Sequence, residues 1–347
     1  MIKTFEQFNN QDIDAICKKY NIKNYTIRHD GKVNVDGDVN LNDRCLSKLP
    51  LEFGIVTGDF LCKYNELTSL EGAPDKVGGS IDCGENTIES LKYSSKEVGG
   101  DFICTYNRLT TLEGAPEYIG KTLDCSYNDI SSLKGCPEII NGDFLIYANE
   151  LTSLKGSPKE VGGSYQCNIN KLTSLEGCPE VINEIFACAT NNLTSLKHGP
   201  RIVNGDYYAN YNELSDLEGA PEKVDGNFNV IKCKLTSLYG IPKEIKGWID
   251  INRNRICDLK ELAHIKYSNI YLNYNPIYFI IDDFYSDKEK NYNKFNDILE
   301  HFIMINPTKY ENGKLILDKE LNDVFREDME LPPFNYKKLD TGDVIVR

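Results

Sequence analysis

The sequence predicts an α/β solenoid of stacked 21-residue coils. One short strand per coil forms a parallel sheet on the concave face, extended or 3₁₀ segments form the convex side, and small helical caps close the ends. Two observations predict this fold. An asparagine recurs every 21 residues, without insertion or deletion, from Asn65 to Asn275. Apolar residues keep the same phase five and three residues before it, which is the alternation expected of a strand with one buried face.

Positions are numbered here relative to this asparagine, so that Phe60 is at −5 and Cys62 at −3 in the repeat of Asn65. We expect the buried asparagine to satisfy main-chain groups that are left unpaired where the chain turns inward, and to bond to the coils above and below. Cys233 takes its place in one repeat. The predicted asparagine ladder consists of Asn65, Asn86, Asn107, Asn128, Asn149, Asn170, Asn191, Asn212, Asn254 and Asn275.

Three segments follow from this pattern. Residues 1–37 are predicted to form a cap, with a helix over 4–20 and a hairpin around His29-Asp30-Gly31. Residues 38–281 form the solenoid of about 11–12 units. Residues 282–347 form an acidic helical cap, with helices near 288–304 and 317–328 and an extended end at 343–346, because terminal repeats must cover their apolar faces.

The return limb of each coil is predicted to be extended. A Gly-x-Pro sequence in most repeats argues against a long helix there, since the residue before proline avoids the helical region. Gly-Gly or Asn-Gly pairs precede the strands, as in Gly78-Gly79 and Asn141-Gly142. We expect these pairs to form a tight turn that requires positive φ.

The amino-acid composition limits the classes of molecule that the chain could bind. The net charge is −14, with 53 acidic and 39 basic residues, which disfavours general nucleic-acid binding because that needs a basic surface. A basic partner, mimicry of a polyanion and simple solubility all stay open. The first twenty residues hold no apolar signal region, and the apolar run 277–281 is too short to cross a bilayer. We therefore expect a cytoplasmic protein that does not enter a membrane.

We interpret the residues that could carry chemistry as structural ones. Cysteines fill the −3 column, where they are expected to act as small buried hydrophobes, and no C-x-x-C pair is present. The four histidines share no column. Aspartates at −6 and −4 could line up for calcium, but we expect them to cap strand starts. The sequence therefore predicts neither an enzyme, nor a cofactor, nor a metal site.

The columns match the leucine-rich-repeat pattern L-x-x-L-x-L-x-x-N/C-x-L, here Phe60-x-Cys62-x-x-Asn65-x-Leu67, over about residues 38–281. The repeat sequence from Gly99 to Gly120 resembles those of the leucine-rich-repeat proteins of large tailed bacteriophages. This resemblance implies a viral origin and a location in the host cytoplasm. The run 67–70, Leu-Thr-Ser-Leu, is similar to bacterial effector ubiquitin ligases. Those enzymes need a nucleophilic cysteine in a C-terminal helical domain, and here the last cysteine is Cys257, inside the repeats.

The concave face is the candidate binding surface, because residues at −4, −2 and −1 should project from the sheet. Exposed aromatic side chains together with arginine are typical of interface hot spots. The alternative is that tyrosine merely suits a half-exposed strand position. Trp248 and Arg253 lead us to favour the C-terminal half for the hot spot. The predicted partner-binding residues are Tyr64, Tyr106, Tyr127, Tyr147, Tyr208, Tyr211, Trp248, Arg253, Tyr271 and Tyr274.

These observations favour a non-enzymatic module that binds a host or phage protein, for instance to counter a host defence or regulatory factor. Three alternatives stay open at this point. The chain could be a self-associating virion or scaffold component, an enzyme whose chemistry resides in residues 282–347, or a polyanion mimic. The sequence leaves the partner and the oligomeric state undetermined.

Overall fold

A computed structural model describes residues 10–278, 299, 301–305, 307–311, 314–329, 331, 334 and 344–346. The part of the predicted first helix before residue 10 and most of the helix predicted near 288–304 lie outside these residues. The chain divides into two compact units, Met1–Asn191 and Asn192–Arg347. Both contain the same coil, and together they hold about 11 turns of a leucine-rich-repeat-like parallel β-solenoid, which confirms the predicted fold class.

The first unit begins with the helix Asn10–Lys19, which buries Ile13 and Cys17. The strands Tyr25–Ile27 and Val33–Val35 then pair as an antiparallel hairpin. Val33–Val35 also pairs in parallel with the next strand, Phe53–Val56, so the hairpin continues directly into the repeats.

The main sheet of the first unit contains one two-residue strand per coil. Each strand pairs in parallel with the strand 21 residues away, so that Phe102 lies opposite Ile81 and Leu123. The first residue of each pair, at −5, is buried, and the −4 side chain reaches the surface in every strand except the last, where Ala187 is buried. The strands are Val39–Asn40, Phe60–Leu61, Ile81–Asp82, Phe102–Ile103, Leu123–Asp124, Phe144–Leu145, Tyr165–Gln166 and Phe186–Ala187.

The return limb forms strands too, which the sequence did not predict. Val33–Val35, Phe53–Val56, Lys76–Val77, Glu97–Val98 and Tyr118–Ile119 pair side by side in this second sheet. Ile139–Ile140 then pairs with Glu160–Val161, but not with Tyr118–Ile119. The remaining return strand of this unit is Val181–Ile182.

At both breaks in the second sheet, an asparagine side chain at −8 replaces a main-chain hydrogen bond. In paired coils the −8 main-chain amide donates to a carbonyl of the preceding coil, as from Gly120 N to Val98 O at 2.9 Å. At Asn141 the side-chain amide bonds to Ile119 O instead, at 2.9 Å, and Asn183 bonds to Val161 O in the same way, at 3.1 Å. The carboxamide takes the acceptor that strand pairing would use.

The prediction of positive φ at the Gly-Gly pairs is wrong. None of these glycines has a positive φ. They are needed because the coils approach closely: a Cβ on Gly78 would lie 2.2 Å from Thr57 O, and one on Gly79 would lie 2.2 Å from the Asp59 carboxylate. Positive φ occurs instead at the glycine before the return-limb proline, for example 89° at Gly114.

Every coil places its −1 residue in the left-handed region, although none of these residues is glycine. Tyr106 and Tyr127 have φ of 52° and 56°. This conformation costs about 1–2 kcal/mol for a residue that carries a Cβ. Main-chain pairing with the next coil continues through the turn, as in the bond from Tyr106 N to Ser126 O at 3.2 Å. The turn thus presents the −1 side chain outward at a fixed position in each coil.

The asparagine column joins each coil to the one before it. Asn128 Oδ1 accepts from the amide of Leu109 at 3.0 Å. Its Nδ2 donates to the carbonyls of Cys104 in the preceding coil and Cys125 in its own coil. The same pattern repeats from Asn65 to Asn191 in the first unit. These side chains bond to their own coil and to the preceding one only, not to coils on both sides.

The second unit repeats this design and then changes. Its main-sheet strands are Tyr207–Tyr208, Phe228–Asn229, Trp248–Asp250 and Asn269–Tyr271, and its return strands are Ile202–Val203, Lys223–Val224 and Glu244–Ile245. Cys233, in the asparagine column, directs its thiol to Ala209 O at 3.1 Å. Later elements are the 3₁₀ helix Lys260–His264, a helical stretch at 301–305, the strands Thr308–Glu311, Lys314–Leu317 and Val344–Val346, and the helix Lys319–Asp328.

Replacing Asn128 with alanine tests the ladder. The substitution leaves the buried Leu109 amide and three carbonyls without their side-chain partner, and each such group costs about 1–3 kcal/mol. We expect the free energy of unfolding, measured with denaturant, to fall by about 3 kcal/mol. Asn210→Ala is the matched control, because this half-exposed side chain makes no hydrogen bond within the described part of the chain. Equal losses in the two variants would contradict a special role for the column.

Candidate binding surface

The strand-face surface consists of the side chains at −6, −4, −2 and −1, which lie on and just beyond the main-sheet strands. The −5 and −3 side chains of the same strands are buried, as Phe102 and Cys104 show. Because the coils are in strict register, each surface column places equivalent side chains one strand apart, at roughly 4.8 Å. Neighbouring residues in a column can therefore touch.

Three predicted residues form a tyrosine cluster in the first unit. The rings of Tyr106 and Tyr127, both at −1 in successive coils, stack with centroids 4.2 Å apart and planes 8° apart. Tyr147, at −2 in the next coil, meets Tyr127 edge-on at 5.3 Å. Tyr106 and Tyr127 keep 46% and 39% of their surface exposed. Such ring pairs contribute about 0.5–1.5 kcal/mol beyond the area they bury.

Acidic side chains surround the tyrosine cluster. The Asp124 carboxylate accepts from Ser126 N at 3.0 Å, and burial raises its pKa above the usual range. The fully buried Ser126 hydroxyl makes no hydrogen bond of normal geometry. Glu85, at −1 in the coil before Tyr106, is exposed. The pKa of Tyr106 is raised, chiefly by its hydrogen bond with the Tyr127 hydroxyl and then by partial burial. Nearby charges, including Glu85, add to this effect.

The second unit brings other predicted residues together. Its −1 column reads Tyr211, Lys232, Arg253 and Tyr274. Lys232 Nζ lies 4.9 Å above the Tyr211 ring, and the Arg253 guanidinium lies 4.5 Å above the Tyr274 ring. Both tyrosines thus already carry a cation from the neighbouring coil, an arrangement that stabilises exposed rings by about 0.5–1 kcal/mol.

The other predicted residues of this unit also reach the strand-face surface. Trp248 meets Tyr271 edge-on at 6.0 Å. Tyr208 donates to Asp206 at 2.7 Å, and burial together with this bond raises its pKa to about 12. In the first unit, Tyr64 stands apart from the tyrosine cluster, because Glu85 occupies the intervening coil, and its ring carries Lys63 at 5.0 Å. The preference for a C-terminal hot spot does not take account of the stacked tyrosines Tyr106 and Tyr127, although the sequence shows them in successive coils of the −1 column.

The aspartates at −6 and −4 bind main-chain amides. The −6 carboxylates accept from the next coil, as Asp101 does from Thr122 N at 3.0 Å. The −4 carboxylates accept from the residue two positions on, as Asp82 does from Gly84 N at 3.1 Å. Within the described ranges, no three His, Cys, Asp or Glu side chains are placed to hold a metal ion. No helix among the same residues is long and apolar enough to cross a membrane.

The cysteine column lies in the core. Burial raises the pKa of each thiol in the column for which a shift is resolved, and raises it most strongly for Cys62, Cys104, Cys125 and Cys167. A thiol whose pKa is raised by burial is a poor nucleophile and a poor metal ligand. All twelve cysteines are free thiols, and only Cys45 is exposed.

Comparison with known proteins yields one structural match. No protein-family model matches the chain, and no curated protein matches it in sequence. A solved structure to which the chain is similar is YopM from Yersinia enterocolitica WA-314, at 18% sequence identity and a TM-score of 0.38. The match covers 68% of this chain and 65% of that chain, slightly less than two thirds of its length.

Thiol labelling tests the assignment of the cysteines to the core. In the folded protein, Ellman's reagent should modify one thiol rapidly, and Cys45→Ser should remove that fast phase, because the other cysteines are buried or half-buried. All twelve should react after unfolding in guanidinium, which serves as the control. A second fast thiol in the folded Cys45→Ser protein would show a reactive cysteine that this structure does not contain.

Proposed function

We propose that the chain is a non-enzymatic protein-binding module that holds its partner against the strand-face surface. The observation that carries this proposal is the tyrosine cluster on the hydrogen-bonded sheet, in which the exposed rings of Tyr106 and Tyr127 stack and the half-buried Tyr147 meets Tyr127 edge-on. Tyrosine offers a large contact area with a polar tip and loses little side-chain entropy on binding. Such residues are enriched among those that dominate binding energy.

The scaffold supports this role because it is pre-organised. Main-chain bonds such as Tyr127 N to Tyr147 O, at 3.1 Å, fix the coils that carry the rings. A partner that docks here does not have to order the backbone, which reduces the entropic cost of association. The second unit supplies another set of aromatic and cationic side chains, Trp248 and Arg253 among them, on the equivalent columns.

The strand-face surface supports a protein rather than a nucleic acid as partner. Nucleic-acid binding depends on cations that neutralise phosphates. The columns around the tyrosine cluster instead present Asp82, Glu85, Asp101 and Asp124, and the chain as a whole has a charge of −14. These carboxylates would repel a phosphate backbone.

The finer proposal is that this is a bacteriophage protein acting in the host cytoplasm, where it engages a host or phage protein and counters a defence or regulatory factor. This proposal is supported by the repeat sequence from Gly99 to Gly120, which resembles leucine-rich-repeat proteins of large tailed bacteriophages. A bacterial lysate is therefore the natural source of partners.

Affinity capture from bacterial lysate, read by mass spectrometry, tests the proposal. We expect a specific partner to be retained by the wild-type protein and lost with Tyr106→Ala/Tyr127→Ala/Tyr147→Ala or with Tyr208→Asp/Tyr211→Asp/Trp248→Asp, because either set removes aromatic contacts. The matched control is Tyr93→Ala/Tyr118→Ala/Tyr239→Ala, which removes three exposed tyrosines from the return limb. Circular dichroism should show all variants folded.

Two results would count against this function. Retention that survives both strand-face variants would place the interface elsewhere. Light scattering that shows a concentration-dependent oligomer, dispersed by the strand-face variants, would instead favour a self-associating structural component.

A further inference from the structure

The tyrosine cluster of the first unit and the −1 tyrosines of the second unit have neighbours of opposite charge. In the second unit Arg253, at −1, covers the ring of Tyr274 in the following coil. In the first unit the residue that stands in the same relation to Tyr106 is Glu85, an anion. Among the described residues, no lysine or arginine lies over Tyr106, Tyr127 or Tyr147. The face of Tyr106 turned away from Tyr127 thus has a carboxylate beside it where its counterpart has a cation.

The flanks of the solenoid neutralise their own charge, and the strand-face surface of the first unit does not. Acidic and basic side chains 21 residues apart form ion pairs between adjacent coils, such as Lys76 with Glu97 at 2.6 Å and Glu113 with Lys134 at 2.7 Å. Five such pairs lie in the first unit: Lys76–Glu97, Glu113–Lys134, Glu138–Lys159, Glu150–Lys171 and Lys155–Glu176.

On the strand-face surface around the tyrosine cluster, one cation faces many carboxylates. Lys63 lies 3.4 Å from Asp82, and in the described part of the first unit the other acids of these columns have no ion pair. The aspartate oxygens accept main-chain amides, which satisfies hydrogen bonding but leaves the negative charge in place, whereas the Glu85 carboxylate makes no such bond among the described residues. These acids are Asp59, Glu85, Asp101, Asp124 and Asp143.

We propose that the tyrosine cluster receives a basic side chain, arginine above all, from an extended segment of the protein partner. Its guanidinium lies flat on the outer face of Tyr106 and pairs with the carboxylate of Glu85. This contact between two molecules is equivalent to the contact that Arg253 and Tyr274 make within the chain. A planar guanidinium suits both tasks, since it stacks on rings and binds carboxylates in a fork. Asp124, in the next coil, adds a second carboxylate to the same surface. This inference rests on the proposed function and names the chemistry of the partner.

A titration with a fluorescein-labelled hexa-arginine peptide tests the inference. Fluorescence anisotropy at low ionic strength, where exposed charges are least screened, should show saturable binding to the full-length protein. A hexa-citrulline peptide, of the same shape without the charge, should not bind. Tyr106→Leu should weaken hexa-arginine binding about fivefold or more, as expected when a cation–π contact is lost.

Glu85→Arg gives the sharpest variant, because it rebuilds within the chain the cation–tyrosine pair of the second unit. It should abolish peptide binding while the protein stays folded by circular dichroism. Tyr118→Leu is the matched control for loss of an exposed ring, since Tyr118 lies on the return limb, and Glu117→Gln is the control for loss of one negative charge there. Both controls should keep the wild-type affinity within about twofold.

Three results would overturn the inference: no binding to the wild-type protein, equal binding of the citrulline peptide, or equal weakening by Glu117→Gln. The outcome is separable from that of the lysate capture. Should the peptide fail while the strand-face variants still lose the captured protein, the basic-segment inference is wrong and the binding function stands. A captured protein that ignores the strand-face variants would contradict the binding function whatever the peptide does.

Discussion

The structure depends on a register of 21 residues, fixed by hydrogen bonds between each coil and the one before it. The central contact is the asparagine side chain, which accepts an amide from the preceding coil and donates to carbonyls of both coils. These groups are buried, so the cost of leaving them unpaired is high. An inserted residue would shift the column and orphan them, which explains why ten successive steps contain no insertion or deletion.

The same constraint separates the positions that hold the fold from those free to serve recognition. The −5 and −3 columns and the asparagine must be buried, and the −8 and −7 positions are crowded by the coil before. The −1 side chains and most of those at −4 and −2 reach solvent, although Ser126 and Ala187 are buried. Because the −1 residue stands in a left-handed turn one strand apart from its neighbours, two tyrosines in successive coils stack at 4.2 Å. The geometry of the candidate surface is thus a direct result of the register.

Periodicity made most of the fold predictable. Alternation at −5 and −3 predicted the strands, and the cysteines of the −3 column are indeed core residues. The second sheet was not predicted, because its strands are two residues long and its breaks depend on whether Asn141 bonds through its side chain or its main chain. The reason for the glycine pairs is also not local. Glycine is required because the neighbouring coil lies too close for a Cβ, and turn preferences in the sequence do not show this distance.

The candidate surface was predictable in its columns but not in its contacts. That Lys232 folds over Tyr211 while Glu85 stands beside Tyr106 depends on side-chain conformation and on which residue adjoins in the next coil. Both the stacked pair and this contrast follow from the order of residues along the −1 column.

Hydrogen–deuterium exchange of the protein, alone and saturated with the protein it captures, tests the central claim that the strand-face surface is the recognition site. We expect slower amide exchange at residues 103–106, 124–127 and 145–148, with no change at the return strands Ile139–Ile140 and Glu160–Val161. Protection confined to those return strands would contradict it.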